Sequence, residues 1–219
     1  KQNVEMLQAL DKDVSIDIMT NLGMNLDNNK VFLELTNKST VNWCVSVENV
    51  GDHLEYVRHG AKYDRIRENL SKVRNMPYGH TLMLFGTYNL HSATKLREYY
   101  ALANELNCTI HWQVLINPME HNVVEFSKPV RDYCLNEIYK LYESPEYIEY
   151  TQHRNSYVIN QGRGFLDHVA EQLTNQTKTE GCIDLDFRKR CQDFEQIYID
   201  RDIKTFSELW PELDVLIER

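Results

Sequence analysis

The sequence predicts an α/β fold in which parallel strands alternate with helices, followed by a helical C-terminal region. Four segments have strand-like apolar spacing, and their centres lie about 30 to 40 residues apart, the length of a β-α unit. Segments with helical apolar spacing separate them, and such alternation favours a parallel sheet with helices outside it. After Pro118 only helical patterns follow.

The four predicted strands share short apolar runs, of which the first alternates apolar and polar residues with a period of two. They are residues 14–20 (VSIDIMT), 41–47 (VNWCVSV), 81–87 (TLMLFGT) and 109–116 (TIHWQVLI). Asn117-Pro118 ends the fourth strand, because proline has no amide proton to donate and restricts the residue before it. We expect the strands to be parallel and adjacent in sequence order, with right-handed crossovers.

Helical spacing of apolar residues defines the remaining elements. Before residue 120 it predicts a short helix at 31–35, one helix at 54–73, and another at 93–106 with Ser92 as its N-cap. The helices predicted after Pro118 are 129–142, 146–153, 166–173 and 186–200. The sequence therefore predicts two regions, residues 1–120 with the strands and residues 121–219 with helices only.

Composition excludes several classes of function. The 219 residues carry 24 Lys and Arg against 33 Asp and Glu, a net charge of −9, and no stretch gathers the basic residues into a stripe. Nucleic acid binding through phosphate contacts is therefore disfavoured. No apolar run approaches the roughly 18 residues of a membrane span, and the start has no signal peptide, so we predict a cytoplasmic protein without a membrane partner. Because the chain starts at Lys1 within a helix-like pattern, we interpret it as a fragment.

The cysteine and histidine spacing predicts no metal site. The five cysteines are widely separated and lack any CxxC or CxxxCxxC motif, so they indicate free thiols, not a disulfide framework or a metal knuckle. They are Cys44, Cys108, Cys134, Cys182 and Cys191. We interpret His111 and His121 as a strand residue and a loop residue, since no third ligand accompanies them.

The segment from Trp43 to Leu70 resembles the fourth-strand region of radical S-adenosylmethionine (SAM) enzymes. Its serine after the strand, its Tyr-x-Arg and its helix ending in Asn-Leu occur in the family's order and at similar spacing; these are Ser46, Tyr56, Arg58, Ile66, Asn69 and Leu70. IMTNLG at 18–23 resembles the Thr-Asn-Gly ending of the preceding strand. The last residues, YIDRDIKTFSELWPEL, are similar to the tails of members with a helical extension.

This resemblance implies that residues 1–120 are a partial (β/α) barrel of the TIM type whose N-terminal units are missing. It implies SAM as cofactor, and a [4Fe–4S] cluster only in the full-length protein, because the CxxxCxxC and Gly-Gly-Glu-Pro segments are absent from this chain. A second departure is Glu48-Asn49, which stands where the family usually has Asp-Gly. We expect that the chain alone cannot cleave SAM reductively, and that a catalytic complete protein needs an electron donor.

The resemblance implies that Ser46 and Arg58 hold the SAM carboxylate. An arginine suits this role because its planar fork engages a carboxylate bidentately. The alternative for Arg58 is a helix residue paired with Glu55 or Asp64.

Polar side chains also follow the other strand ends, where ligands of parallel sheets bind. Asn21 and Glu48 are candidates for the ribose hydroxyls, with an Asx turn or a helix cap as the alternative. Asn89 and Asn117 are candidates for contacts to ribose or adenine, or ordinary turn residues.

Two functions therefore remain open. The first is a radical SAM enzyme that abstracts hydrogen from an unknown substrate, with a peptide or protein as one option. The second is a non-catalytic binding or assembly protein on a degenerate barrel. A CxxxCxxC motif encoded upstream, about 60 to 90 residues before Asn21, would favour the enzyme, because the family's cluster loop precedes this strand by β-α units of about 30 residues or more.

Overall fold

The computed structural model describes residues 2–11, 13–38, 40–76, 79–176, 182–197 and 204–217. In them a four-stranded parallel sheet has the order β1-β2-β3-β4. The strands are β1 (Ser15–Thr20), β2 (Thr40–Ser46), β3 (His80–Tyr88) and β4 (Thr109–Val114). The prediction of four parallel strands, adjacent in sequence order, is confirmed.

Helices connect the strands and form the whole of the later part that the structure describes. They are α1 (Gln2–Ala9), α2 (Lys30–Thr36), α3 (Gly51–Val57), α4 (Tyr63–Arg74), α5 (Leu90–Ala93), α6 (Leu96–Glu105), α7 (Lys128–Tyr142), α8 (Pro145–Gln152), α9 (Ser156–Asn175), α10 (Cys182–Ile197), α11 (Phe206–Leu209) and α12 (Pro211–Ile217). Two 3-10 turns, Met119–His121 and Val123–Glu125, lie between β4 and α7. Within the described ranges, no helix is long and apolar enough to cross a membrane.

The sheet has one covered face and one open face. Alternate residues such as Val41, Val45 and Leu84 are fully buried on the covered face. Their neighbours on the open face are exposed or half-buried, and Met19 is 71% exposed. Parallel sheets usually have both faces covered, so this arrangement is unusual and leaves a broad surface for contacts.

The later helices pack against the sheet and its carboxyl edge. Phe165 of α9 stacks on Trp112 of β4 with ring centroids 6.4 Å apart. Trp210, which separates α11 from α12, donates a hydrogen bond from Nε1 to the carbonyl oxygen of His91 at 3.1 Å. The buried apolar side chains of both predicted regions belong to one contiguous core, while the division near residue 120 stays a prediction.

Two predicted helices are each divided into two. The predicted helix at 54–73 is wrong as one element, because α3 ends at Val57 and α4 begins at Tyr63. Gly60 in the break has φ +79, a left-handed conformation that glycine adopts without steric cost. The break places Arg58 at the C-cap of α3 instead of inside a helix.

The helix predicted at 93–106 is likewise α5 and α6, and the predicted N-cap role of Ser92 is wrong. Asn89 is the N-cap of α5, and Ser92 closes a reciprocal capping box with it from the third helical position. The helix predicted at 166–173 extends over Ser156–Asn175, since Gly162 and Gly164 weaken its apolar pattern without interrupting it. The predicted end of the helix at 186–200 falls on residues 198–200, which lie outside the described residues.

Candidate functional site

The predicted site residues follow the carboxyl ends of the four strands. Asn21 directly follows β1, and Ser46 is the last residue of β2. Asn89 directly follows β3, and Asn117 lies three residues beyond β4. Since the strands are parallel, these ends lie at one edge of the sheet, which we call the carboxyl edge.

Glu48 and Arg58 form a bidentate ion pair at this edge. Arg58 donates from Nε to Oε2 of Glu48 and from Nη2 to Oε1, each at 2.5 Å. The side chains of Glu48 and Arg58 are only 14% and 26% exposed, respectively. Fork-to-carboxylate geometry of this kind is strong and directional, so the pair fixes the end of α3 to the end of β2.

The alternative partners considered for Arg58 do not bind it. Glu55 instead accepts hydrogen bonds from Lys62 Nζ at 2.8 Å and from the Tyr63 backbone amide at 2.9 Å, where it supports the start of α4. The interpretation of Arg58 as a helix residue paired with Glu55 or Asp64 is therefore wrong, since Arg58 is the C-cap of α3 and pairs with Glu48. Its described side-chain hydrogen bonds use Nε and Nη2.

Asn21 and Asn89 use their side-chain oxygens locally. Asn21 Oδ1 accepts from the Gly23 amide at 3.0 Å, which is an Asx turn, and Asn89 Oδ1 accepts from the Ser92 amide at 3.2 Å. The turn or cap interpretation thus accounts for the side-chain oxygen of each residue. In both residues the Nδ2 group can still donate to a ligand.

Asn69, one of the residues that carry the sequence resemblance, holds the loop after β1. It is 2% exposed, and its Nδ2 donates to the carbonyl oxygens of Leu22 and Met24, each at 2.7 Å. Leu22 has φ 50, a left-handed conformation that is uncommon for leucine. The contacts from Asn69 therefore hold the turn that contains Asn21 in a defined conformation.

On the open face, Ser46 belongs to a transverse row with Phe85 and His111. Ser46 pairs in register with Phe85, and Phe85 pairs with His111. The rings of Phe85 and His111 stack with centroids 5.1 Å apart and an interplanar angle of 23°. Next to the carboxyl edge, Gln113 donates to Thr87 Oγ1 at 3.3 Å. The row combines a hydroxyl with a flat aromatic surface.

Toward the amino ends of the strands the open face holds a second polar row. Asn42 donates to Asp17 Oδ1 at 2.7 Å and accepts from Thr81 Oγ1 at 2.8 Å. A depression of about 760 Å³ lies over this half of the face and also contacts Met19 and Met83. In the polar row beneath it, Asp17, Asn42 and Thr81 are already hydrogen-bonded to one another.

Asn49, directly after Glu48, is a functional candidate that sequence reasoning missed. It is fully buried, and neither Nδ2 nor Oδ1 has a hydrogen-bond partner in the described part of the chain. A buried polar group without a hydrogen-bond partner destabilises the folded state. A ligand or an ordered water molecule can supply the partner. The sequence showed Asn49 only as a departure from Asp-Gly.

A cleft of about 700 Å³ opens at the carboxyl ends of β3 and β4. Its other walls are α3, the first 3-10 turn and α10. Its lining combines aromatic, aliphatic and ionisable side chains, and it includes the predicted residue Asn89. The lining residues are Tyr56, Val57, Asn89, His91, Leu115, His121, Arg190, Cys191, Asp193, Phe194 and Ile197. We call this the carboxyl-edge cleft.

The ionisable groups on the inner wall of the cleft are uncharged at neutral pH. Burial lowers the pKa of His91 to about 3, and it also lowers the pKa of His121. Burial raises the pKa of the Cys191 thiol to about 12. Arg190 forms an ion pair with Glu120 at the rim.

The described residues provide no group of three or more His, Cys, Asp or Glu that could hold a metal ion. Cys44, Cys108, Cys134 and Cys191 are free thiols on four different elements or loops, whereas the side chain of Cys182 lies outside the description. His111 lies on β4 and His121 in the 3-10 turn, as a strand residue and a loop residue.

Comparisons of the chain with family models, with curated proteins and with solved structures find no significant match.

Proposed function

We propose that this chain is part of a radical SAM enzyme and that the carboxyl edge of its sheet binds SAM. The observation that carries the proposal is the bidentate Glu48–Arg58 pair. It holds an arginine at the end of the strand where the resembled motif requires a cation for the SAM carboxylate. Ser46 ends the same strand and faces the open side of the sheet.

The residues at this edge fit the polar groups of SAM. Arg58 retains Nη1 for the carboxylate, because its described side-chain bonds use Nε and Nη2. Asn21 and Asn89 retain Nδ2 donors for the ribose oxygens. Asn49, whose buried amide has no hydrogen-bond partner among the described residues, directly follows Glu48 in the chain. Glu48, which neutralises part of the charge of Arg58, also suits the ammonium group of the methionine end.

The open face supports the proposal of a partial (β/α) barrel. In such a barrel one face of every strand points inward and is covered by the units that close the barrel. The open face here presents uncovered side chains in two transverse rows: Asp17, Asn42 and Thr81 form one row, and Ser46, Phe85 and His111 form another. We propose that this face is the inner wall and that further β-α units cover it in the complete protein.

SAM, together with a [4Fe–4S] cluster, would supply the radical chemistry when bound. The described residues do not fit such a cluster, since they contain no group of three or more side chains that could hold a metal ion. The contribution of this chain is to bind SAM and to orient it through Arg58 and Ser46. Hydrogen abstraction from an unknown substrate, with a peptide as one option, and an electron donor belong to the proposal for the complete protein.

A comparison of SAM with its decarboxylated analogue tests the proposed binding mode. Calorimetric titration uses the complete protein, reconstituted anaerobically with iron and sulfide. SAM should bind roughly ten- to a hundred-fold more tightly than the decarboxylated analogue. The reason is that a charge-assisted hydrogen bond to the carboxylate is worth about 1.5 to 3 kcal/mol. Equal affinity for both compounds would contradict the assignment of Arg58. Absence of SAM binding would contradict the enzyme and favour the non-catalytic binding or assembly protein.

A further inference from the structure

The carboxyl-edge cleft has a neutral inner wall and apolar sides. Val57, Leu115, Phe194 and Ile197 supply aliphatic and aromatic surface, and Ile197 is 73% exposed at the mouth. Sites with this mixture bind ligands whose body is apolar or aromatic and whose orientation is fixed by a few polar groups. The volume of about 700 Å³ lies within the usual range for small-molecule sites.

The charges at the cleft disfavour anionic ligands. The guanidinium of Arg190 is engaged by Glu120, and the exposed carboxylate of Asp193 is an additional negative group in the lining. His91 and His121 offer no positive charge at neutral pH, because burial lowers both pKa values. A ligand that carries a phosphate or carboxylate into the cleft would therefore compete with Glu120 for Arg190 and would meet the negative charge of Asp193.

The imidazole of His91 is a buried polar group with an unsatisfied hydrogen-bonding atom in the lining of the cleft. Its side chain is 6% exposed, it lines the cleft, and its Nε2 has no hydrogen-bond partner among the described residues. Its ring packs among aromatic neighbours, with His121 at 5.4 Å and Tyr56 at 5.8 Å between centroids. A neutral imidazole presents one donor and one acceptor, and a hydroxyl group can satisfy either of them because it both donates and accepts.

We propose that the carboxyl-edge cleft is a binding site for a neutral hydroxyaromatic group, the side chain of tyrosine or a free phenol. The ring packs against the aromatic and aliphatic walls, and the hydroxyl exchanges hydrogen bonds with His91 and with the carboxylate of Asp193. Ser46, Glu48 and Arg58 are not part of this site, so binding of the hydroxyaromatic group does not require SAM. It assigns a second ligand to the edge that the proposed SAM site occupies.

The test compares compounds that differ by one hydroxyl. In titrations followed by ligand-observed NMR, without SAM, N-acetyl-tyrosinamide should bind about tenfold more tightly than N-acetyl-phenylalaninamide, the effect of about one hydrogen bond. A capped Ala-Tyr-Ala peptide and p-cresol distinguish the sources: tighter binding of the peptide assigns a peptide-borne tyrosine, and equal or tighter binding of p-cresol assigns a free phenol. Equal affinity for the two amides, or no saturable binding of either, would overturn the proposal.

Three variants locate the binding. His91→Phe keeps an aromatic ring in the packed cluster but removes both nitrogens, so it should abolish the preference for tyrosinamide while circular dichroism confirms folding. Ile197→Glu should weaken binding of both amides by about tenfold or more, since it adds a charge to an apolar wall. The matched control is Leu185→Glu on the same helix, where the side chain is 70% exposed and outside the lining. If Ile197→Glu and Leu185→Glu have the same effect, the ligand does not bind in this cleft.

Discussion

Glu48, two residues beyond β2, holds Arg58 at the C-cap of α3 through two hydrogen bonds of 2.5 Å. Both side chains are largely withdrawn from water, so the pair links a strand end to a helix end under limited solvent screening. Removal of one partner leaves a desolvated charge behind, and that cost usually exceeds the net value of the pair itself.

Glu48→Gln should lower the free energy of unfolding by about 1 to 3 kcal/mol, because Arg58 loses a charged bidentate partner. Urea denaturation followed by circular dichroism measures the change. Glu105→Gln is the control, since Glu105 pairs with Arg67 at 2.7 Å where the side chains are 48% and 51% exposed. The control should leave the midpoint nearly unchanged, and a loss as large as that of Glu48→Gln would show that burial of the pair contributes nothing.

Gly86→Ala should destabilise the fold by about 1 to 3 kcal/mol, because the added methyl group overpacks the core. A Cβ at residue 86 would lie 2.5 Å from Cζ3 and 2.6 Å from Cε3 of Trp112. Gly164→Ala in α9 is the matched control, since its Cβ would meet nothing within 4 Å. It should stabilise the protein by up to about 1 kcal/mol through helix propensity. Thermal unfolding measures the change in melting temperature of both variants. It should fall for Gly86→Ala and rise for Gly164→Ala.

Asn69→Ala should destabilise the protein by roughly 1 to 3 kcal/mol, since two carbonyl oxygens lose their buried donor. It should also increase hydrogen exchange of the backbone amides of residues 21–24, because the turn after β1 loses its support. Asn75→Ala, at the exposed C-cap of α4, serves as the control. Unchanged exchange in the turn would contradict the role of Asn69 in holding Asn21.

The stability of the protein should decrease as the pH falls from about 6.5 toward 3. Burial lowers the pKa of His91 to about 3 in the folded state, so between these values the unfolded chain binds a proton that the folded chain does not. One such group contributes a slope of up to about 1.4 kcal/mol per pH unit. The neighbouring His53 and His121, whose pKa values are also lowered by burial, act in the same direction.

His91→Phe should therefore reduce the slope of the free energy of unfolding against pH in this window. Urea titrations at several pH values between 3 and 7 give both curves. Parallel curves for the wild type and the variant would mean that His91 is not the group that titrates on unfolding.

The strands were predictable because their apolar residues alternate over one buried face, as at Val41 and Val45 of β2. The break between α3 and α4 was not predictable from apolar spacing, because that spacing continues through the break. The structure shows the break through the left-handed backbone conformation of Gly60. Asn89 was predicted as a turn or cap residue or as a ligand contact. Its capping box shows the cap role. Its place in the lining of the carboxyl-edge cleft is compatible with a ligand contact as well.

The partner of Arg58 was not predictable either. Helical spacing favours a partner three or four residues away, such as Glu55, whereas the observed partner Glu48 lies ten residues earlier on a strand end. The cleft was missed for the same reason, since His91, His121 and Phe194 come from separate segments that only the tertiary fold brings together. Ion-pair choice and pocket formation depend on the path of the chain, which local patterns do not encode.

The most direct measurement of the central proposal is the affinity of the complete protein for SAM with Arg58→Ala and with Arg65→Ala. Arg58 lies at the carboxyl edge beside Glu48, whereas Arg65 lies on the exposed side of α4. Calorimetric titration, with circular dichroism to confirm folding, should show that Arg58→Ala raises the dissociation constant roughly ten- to a hundred-fold while Arg65→Ala leaves it nearly unchanged. Equal affinities of the two variants would contradict the assignment of the SAM site.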